Sequence, residues 1–298
     1  MPILELDTTN RRQVNRFLAL PFRLYRRVPQ WVPPFAHEAR LMLDRKRHPF
    51  YRHSDAAFFL AVEDGRDVGR LAVLENRNYN AFNRTRTAHF ALFESENSQS
   101  VAHALFDAAF TWARARGLET MVGPKGGLTA LDGLGLLVKG FEHRPALGIP
   151  YHLPYYATLI ESVGFHTKGD SVSGYLSRRS PFPERIHRAA EAVKRRRGLH
   201  IATYPTRRAL RALVPKLGEL YNASLGGTPD NVPLTLEELQ TIADQMLAYA
   251  DPRLIKIVMK GDNPVGFLFA YPDVSAALQR TRGRLWPFGW VDLLLEFR

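Results

Sequence analysis

The sequence predicts an α/β protein with a mixed, mostly antiparallel sheet flanked by helices, laid down twice along the chain. Three observations predict it. Residues 56–63 and 67–74 are apolar runs joined by Asp64-Gly65-Arg66, a β-hairpin signal in which glycine supplies the positive φ of the turn. Residues 100–116 form a strongly amphipathic helix pattern that stops at Gly117 and leads into the apolar run 118–122. A second stretch, from residue 199 onward, repeats the order of the first. Its hairpin overlays the earlier one, with Val265-Gly266 standing where Val68-Gly69 stands.

The elements follow in order. Residues 3–8 read as a short strand. Residues 11–27 read as a helix capped by Thr9 or Asn10, which Pro21 is expected to kink or split. A second helix is expected over 34–46, because Pro33 and Pro34 suit a helix start and Phe35, Ala39, Met42 and Leu43 share a face. After the hairpin, 87–93 makes a third strand. The Gly/Pro-rich segment 123–140 reads as loop with room for one short helix. Residues 155–163 read as a helix stopped by Gly164, and 165–176 as the last strand of the unit. Pro181 and Pro183 open a helix ending in Lys194-Arg195-Arg196-Arg197 before Gly198, where cations suit the negative end of the dipole. The second stretch offers a strand at 199–204, helices at 208–225 and 236–249, and the hairpin 254–271. This divides the chain into a first domain, 1–178, a basic linker helix, 179–198, and an incomplete second domain, 199–298. The second copy reaches Arg298 just where its third strand and following helix are due, as in a truncated chain. Its exposed sheet edge would favour a homodimer.

Composition narrows the chemistry. The 298 residues contain 45% apolar residues, enough for a sizeable core, and no cysteine. A disulfide framework, a cysteine-ligated metal and a cysteine nucleophile are thereby excluded, and a reducing, cytoplasmic setting fits. The ten histidines form no metal-binding helix pattern, so no metal is expected. No run of about 18 apolar residues occurs that could span a bilayer. Gly123-Pro124-Lys125-Gly126-Gly127 lacks the spacing of a P-loop, and no Gly-x-Ser-x-Gly elbow occurs. The net charge of +12 implies an anionic partner: nucleic acid, a membrane surface or a phosphorylated ligand. The basic stretch 178–211 lacks interleaved aromatics for base stacking, so a solvated linker helix is favoured over nucleic-acid binding. The stretch 285–295 contains Trp286, Phe288 and Trp290. It suits the inner face of a membrane, the core of the second half or the wall of an acyl pocket.

The succession of strand, two helices, three-strand meander, amphipathic helix and strand resembles the GNAT acyltransferase fold. Ala108-Ala109-Phe110-Thr111-Trp112-Ala113-Arg114-Ala115-Arg116-Gly117 is similar to the end of the central helix of that family. Leu159-Ile160-Glu161-Ser162-Val163-Gly164-Phe165 is similar to its late helix-to-strand segment. More narrowly, the chain resembles a bacterial GNAT-like group with two tandem halves. The signatures of that group include Pro21-Phe22-x-Leu24-Tyr25, Trp31-Val32-Pro33-Pro34, His48-Pro49-Phe50, Val68-Gly69-Arg70 and Pro150-Tyr151-x-x-Pro154-Tyr155-Tyr156. The resemblance is good over 16–176 and weaker to 298.

The resemblance implies acyl-CoA as co-substrate, with its pyrophosphate on the N-terminus of the central helix. There free backbone N–H groups and the helix dipole attract anions. The register puts Asn97, Ser98, Ser100, Val101 and Ala102 at that loop. Ala102 fits the family pattern, whereas Asn97 and Ser100 replace its usual Arg/Gln and first Gly, and Glu94 and Glu96 upstream are expected to repel phosphate. The family's general-acid tyrosine position holds Ile160. Tyr156, one turn earlier, is the substitute on that face, and Glu161 points away from it. His89, on the strand before the loop, is the candidate base. The resulting expectation is acyl-CoA-dependent N-acyl transfer to an amine, either a small molecule or a lipid. Two alternatives stay open: a non-catalytic GNAT-like module binding an anionic partner or protein, and a long-chain (lipid or sphingoid) N-acyltransferase at the membrane surface.

Overall fold

The computed structural model describes residues 1–125, 135–176, 179, 181–225 and 231–296. It divides into two compact units, Met1–His166 with Asp273–Arg298, and Thr167–Pro272. The segment after residue 272, assigned by its sequence position to the second half, therefore groups with the first unit. Specific bonds hold it there: Gln279 Nε2 donates to the carbonyls of Pro29 (2.7 Å) and Trp31 (2.9 Å), and the amide of Ala36 donates to the Gly283 carbonyl (2.9 Å).

The first unit is a five-stranded sheet in the order β1 (Ile3–Glu5), β2 (Asp55–Glu63), β3 (Arg66–Glu75), β4 (Thr87–Ser95) and β5 (Thr120–Val122). Neighbours are antiparallel except β4 and β5, which run parallel. The predicted hairpin is present, with Asp64 (φ +49°) and Gly65 (φ +73°) forming its two-residue turn. β2 and β3 are buried on both faces, so they read as continuous apolar runs. Side chains alternate between two cores. Ala57, Phe59, Ala61, Leu71 and Val73 face α4 (Gln99–Arg114) and α5 (Tyr156–Ser162), while Ala56, Phe58, Leu60, Ala72 and Leu74 face α1 (Arg11–Leu24) and α2 (Ala36–Leu41). The buried stripe of α4 is Val101, Ala102, Leu105, Phe106, Ala109, Trp112 and Ala113. Its full-sized members are each worth about 1.5–3 kcal/mol of apolar transfer.

Three expectations change here. Pro21 does not split α1. Proline lacks the N–H that would bond the Phe17 carbonyl, and the Arg70 guanidinium bonds that carbonyl instead (Nη1 to O, 2.9 Å), so the helix runs through. The second helix is shorter than expected: only 36–41 is helical before turns take over. Residues 165–176 form no strand. Phe165 packs against Phe90, Phe106 and Phe110, while Val172, Tyr175 and Leu176 are exposed. Gly126 and Gly127 of the loop and Arg178 of the basic stretch lie outside the described residues.

The second unit has a sheet of β6 (Leu199–Ala202), β7 (Lys256–Lys260) and β8 (Asn263–Leu268), all antiparallel. The repeat is visible in its register. Val258 pairs with Ile201 and Gly266, just as Ala61 pairs with Ile3 and Gly69, and each hairpin carries an irregularity one residue later. Helix α6 (Glu184–Arg197), within the second unit, has no buried residue. The expected helix over 208–225 is broken into α7 (Arg207–Arg211) and α8 (Val214–Leu225) ahead of α9 (Leu236–Tyr249). The C-terminal segment of the first unit forms α10 (Ser275–Thr281) and α11 (Gly289–Glu296).

Candidate functional site

One irregularity in β4 organises the site. Arg70 pairs with Glu94 and Ala72 with Ala91, so β4 spends one more residue than β3 over this step, and Leu92 adopts φ +54°. A one-residue insertion reverses which face the following side chains meet. Ala88 and Phe90 face α4, and so does Phe93 after the bulge. Glu94, which strict alternation would send to the α4 face, turns to the α1 side instead. There it lies directly across the ladder from Arg70.

Arg70 and Glu94 are both buried, with Arg70 Nη2 3.6 Å from Glu94 Oε1. The Tyr156 hydroxyl donates to Glu94 Oε2 (2.7 Å) and accepts from the Ser95 amide (3.1 Å). The Tyr25 hydroxyl donates to the Tyr151 carbonyl (3.3 Å), close enough to this carboxylate to feel its charge. Burial pushes the Glu94 carboxyl upward, while the Arg70 charge and the tyrosine hydrogen bonds restrain the rise. Burial and the adjacent carboxylate push Tyr156 and Tyr25 well above the usual phenol value, so both stay protonated donors.

Arg70 and Glu94 open onto a cavity of about 590 Å³. Its walls are mostly apolar: Leu18 and Phe22 of α1, Trp31, Phe35 and Met42, Leu92 of the bulge, and Leu147 and Ile149. Trp31 is fixed by stacking on Tyr25 at 4.9 Å. The buried Glu38 and the imidazole of His152 add polar groups. Burial lowers the His152 pKa to about 4, so the ring is neutral at neutral pH. Its Nδ1 accepts from the Leu137 amide (3.1 Å), which leaves the proton on Nε2. The exposed Arg282 and Arg284 of the C-terminal segment also line the cavity and make its rim cationic.

The residues singled out from the sequence fall in three places. Tyr156 does not line the cavity. It stands behind Glu94 and reaches the site through that carboxylate. Ile160 is buried and Glu161 exposed, as the helix geometry required. His89 is a buried residue of β4, edge-on to Tyr79 at 4.7 Å, and is not part of the cavity wall. Residues 97–102 form the start of α4. Ser98 Oγ caps it by accepting from the Val101 amide (3.4 Å), Ala102 donates to the Ser98 carbonyl (3.2 Å), and the Val101 and Ala102 side chains are core. Helix geometry leaves the amides of Gln99 and Ser100 without intrahelical acceptors, beside the exposed Asn97. Upstream, Glu94 is turned inward, and Glu96 pairs with Arg23 (2.5 Å) and Arg66 (3.1 Å). Sequence reasoning missed the Arg70–Glu94 pair. Its trace is a charge of each sign beside apolar residues in β3 and β4.

Among the described residues no group of three or more His, Asp or Glu side chains is placed to hold a metal, and no helix is long and apolar enough to cross a membrane. No family model matches the chain. It is 29% identical over 291 residues to a bacterial ceramide synthase of Caulobacter vibrioides (strain NA1000 / CB15N), covering 96% of this chain and 74% of that protein. It is 27% identical over 290 residues to Protein YghO of Escherichia coli (strain K12), covering 97% and 73%. Among solved structures, a tandem GNAT protein from the clavulanic acid biosynthesis pathway aligns with 89% of this chain and 72% of its own, at 14% identity and a TM-score of 0.46. An aminoglycoside acetyltransferase from an uncultured soil metagenomic sample aligns with 59% and 95%, at 13% identity and a TM-score of 0.36. The chain is thus similar over nearly its whole length to a bacterial ceramide synthase.

Proposed function

We propose that this protein transfers an acyl group from acyl-CoA to the nitrogen of a long-chain amine. The observation that carries the reading is the buried Glu94 carboxylate, held by Tyr156 and Arg70 at the wall of a largely apolar cavity. The similarity to a ceramide synthase supports a lipid amine as acceptor. Apolar walls suit hydrocarbon, and a proton acceptor among them is what a neutral amine nucleophile needs.

In this reading the Gln99 and Ser100 amides at the start of α4 take the pyrophosphate of acyl-CoA, helped by the helix dipole. The amine attacks the thioester carbonyl directly. A nitrogen–carbon bond forms, the carbon–sulfur bond breaks, and the electron pair leaves with sulfur. Glu94 receives the proton that nitrogen loses, and the thiolate of CoA takes up a proton as it departs. Tyr156 acts through Glu94: its hydroxyl fixes the orientation of the carboxylate and, with the Arg70 charge, holds its pKa below the value that burial alone would set. Alignment of the two reactants within the cavity supplies the remaining acceleration.

The test is a calorimetric and thermal-shift titration with CoA, acetyl-CoA, octanoyl-CoA and palmitoyl-CoA, followed by thiol-release assays with sphinganine and with a water-soluble aminoglycoside. A ligand at a hundred times its Kd adds about 2.7 kcal/mol to the folded state, an easily measured shift. Saturable acyl-CoA binding with turnover of sphinganine is the expected result. Turnover of the aminoglycoside alone would exclude the lipid acceptor, and no binding of any CoA species would exclude acyl transfer by this chain.

A further inference from the structure

His152 sits in a short loop that the tyrosines near Glu94 hold in place. The carbonyl of its neighbour Tyr151 accepts from the Tyr25 hydroxyl (3.3 Å), and the Tyr151 hydroxyl donates to the Phe141 carbonyl (2.8 Å). On the other side, the Leu153 carbonyl accepts from the Tyr156 amide (3.0 Å). The His152 ring lies 6.0 Å from the ring of Tyr156, whose hydroxyl holds Glu94. His152 and Glu94 thus share one support, and both line the same cavity. Their relative placement is set before any ligand arrives.

The ring has one nitrogen to offer. Nδ1 is taken by the Leu137 amide (3.1 Å), and Leu137 is not part of the cavity wall. Nε2 therefore carries the proton, and it has no hydrogen-bond partner among the described residues. Nor is it one of the unpartnered polar atoms that solvent cannot reach, such as Arg70 Nε. The ring lies deep enough for burial to pull its pKa down to about 4, yet the residue is only partly buried. Surface left open that far inside the protein faces the cavity that the residue lines. A neutral imidazole keeps this proton, so Nε2–H is a fixed hydrogen-bond donor and not an acid.

We infer that the Nε2–H of His152 donates to an oxygen beside the amine of the acceptor, so that the preferred acceptor is a long-chain 2-amino alcohol rather than a plain alkylamine. This rests on the acyl-transfer reading above and names the residue that selects the acceptor in the same cavity. Glu94 engages the nitrogen, His152 the oxygen, and the apolar walls the hydrocarbon. Two polar points and one apolar surface fix the orientation of the amine. An acceptor without the oxygen fills the same space but leaves Nε2–H desolvated and unpaired, a cost the amino alcohol avoids. The rim residues Arg282 and Arg284 are exposed to water. There a bond to an alcohol replaces one to water and discriminates little. The bonds made and broken in acyl transfer are unchanged, and His152 contributes no proton to them.

The test compares sphinganine with octadecylamine, which has a chain of the same length and no oxygen, in the thiol-release assay with octanoyl-CoA. Wild type should favour sphinganine by about 10–10²-fold in kcat/KM. His152→Asn keeps an oxygen able to accept from the Leu137 amide and removes Nε2. It should lower kcat/KM for sphinganine by about the same factor and leave that for octadecylamine within about threefold of wild type. Equal turnover of both amines by wild type, or an unchanged ratio in the variant, overturns the assignment of His152 while the acyl-transfer reading stands. Turnover of neither amine brings down that reading and His152 with it. Where the variant fails to fold, wild-type protein labelled with ¹⁵N-histidine decides. The His152 Nε2–H resonance, identified through its contact with the Tyr156 ring, should move downfield with CoA and sphinganine but not with CoA and octadecylamine. The same response to both amines overturns the proposal.

Discussion

Replacing Tyr156 by Phe removes one oxygen and two hydrogen bonds behind the cavity. The hydroxyl donates to Glu94 Oε2 at 2.7 Å and accepts from the Ser95 amide at 3.1 Å. A hydrogen bond to a charged group contributes about 1.5–3 kcal/mol, and leaving the buried Ser95 N–H unsatisfied costs about 1–3 kcal/mol. Against these stands the relief of no longer burying a phenol oxygen. A net loss of about 3 kcal/mol follows, a large share of the 5–15 kcal/mol typical of a whole domain. The loss should depend on pH. Glu94 has a folded pKa above its unfolded value because of burial, and the Tyr156 hydrogen bond opposes that rise. A raised carboxyl makes its contribution below the unfolded pKa, and that contribution is lost as pH climbs from the unfolded to the folded value. Removing Tyr156 raises the folded value further and extends the window upward. The deficit of Tyr156→Phe against wild type should therefore be about 1 kcal/mol larger at pH 8 than at about pH 4, below the unfolded carboxyl value. Urea unfolding at the two pH values measures it. A deficit that is equal at both, or below about 0.5 kcal/mol, would refute the argument that Tyr156 acts on a charged Glu94.

Three further outcomes are expected. Glu94→Gln removes the proton acceptor and should lower kcat by about 10²–10⁴-fold in the thiol-release assay; a change below tenfold excludes Glu94 as base. Ser100→Glu places a carboxylate in the first turn of α4. It should leave stability unchanged or raise it by up to about 1 kcal/mol through the helix dipole, while weakening CoA binding more than tenfold by calorimetry. Undiminished CoA affinity would remove the pyrophosphate from that helix start. Gly283→Ala should loosen the C-terminal segment, because Gly283 sits at φ +73° and an added Cβ would lie 2.1 Å from the Pro34 carbonyl oxygen. Trypsin should then cut at Arg282 and Arg284 faster than in wild type, and unchanged cleavage would contradict the docking described here.

Local order was legible in the sequence where neighbours along the chain decide it. The hairpin at Asp64-Gly65, the capped amphipathic helix from Ser98 and the repeat in the second half follow from turn chemistry and periodicity. These signals are complete within a dozen residues and do not depend on the rest of the fold. The broad chemistry was legible too, through the resemblance carried by the motifs around Pro21, Arg70 and Tyr156. What the chain does with those residues was decided in three dimensions. Pro21 reads as a helix breaker until Arg70, far along the chain, supplies the missing donor. Residues 165–176 read as a strand, yet none forms, and Phe165 packs against the rings of Phe90, Phe106 and Phe110 instead. The segment 273–298 carries no local mark of belonging with residues 29–36, since its bonds go to their backbone carbonyls and amide. Above all, Glu94 reads as a surface charge near a phosphate loop. A single extra residue in β4 reverses its face and makes it the buried partner of Arg70, because side-chain direction in a strand depends on register, and register is a property of the pair of strands.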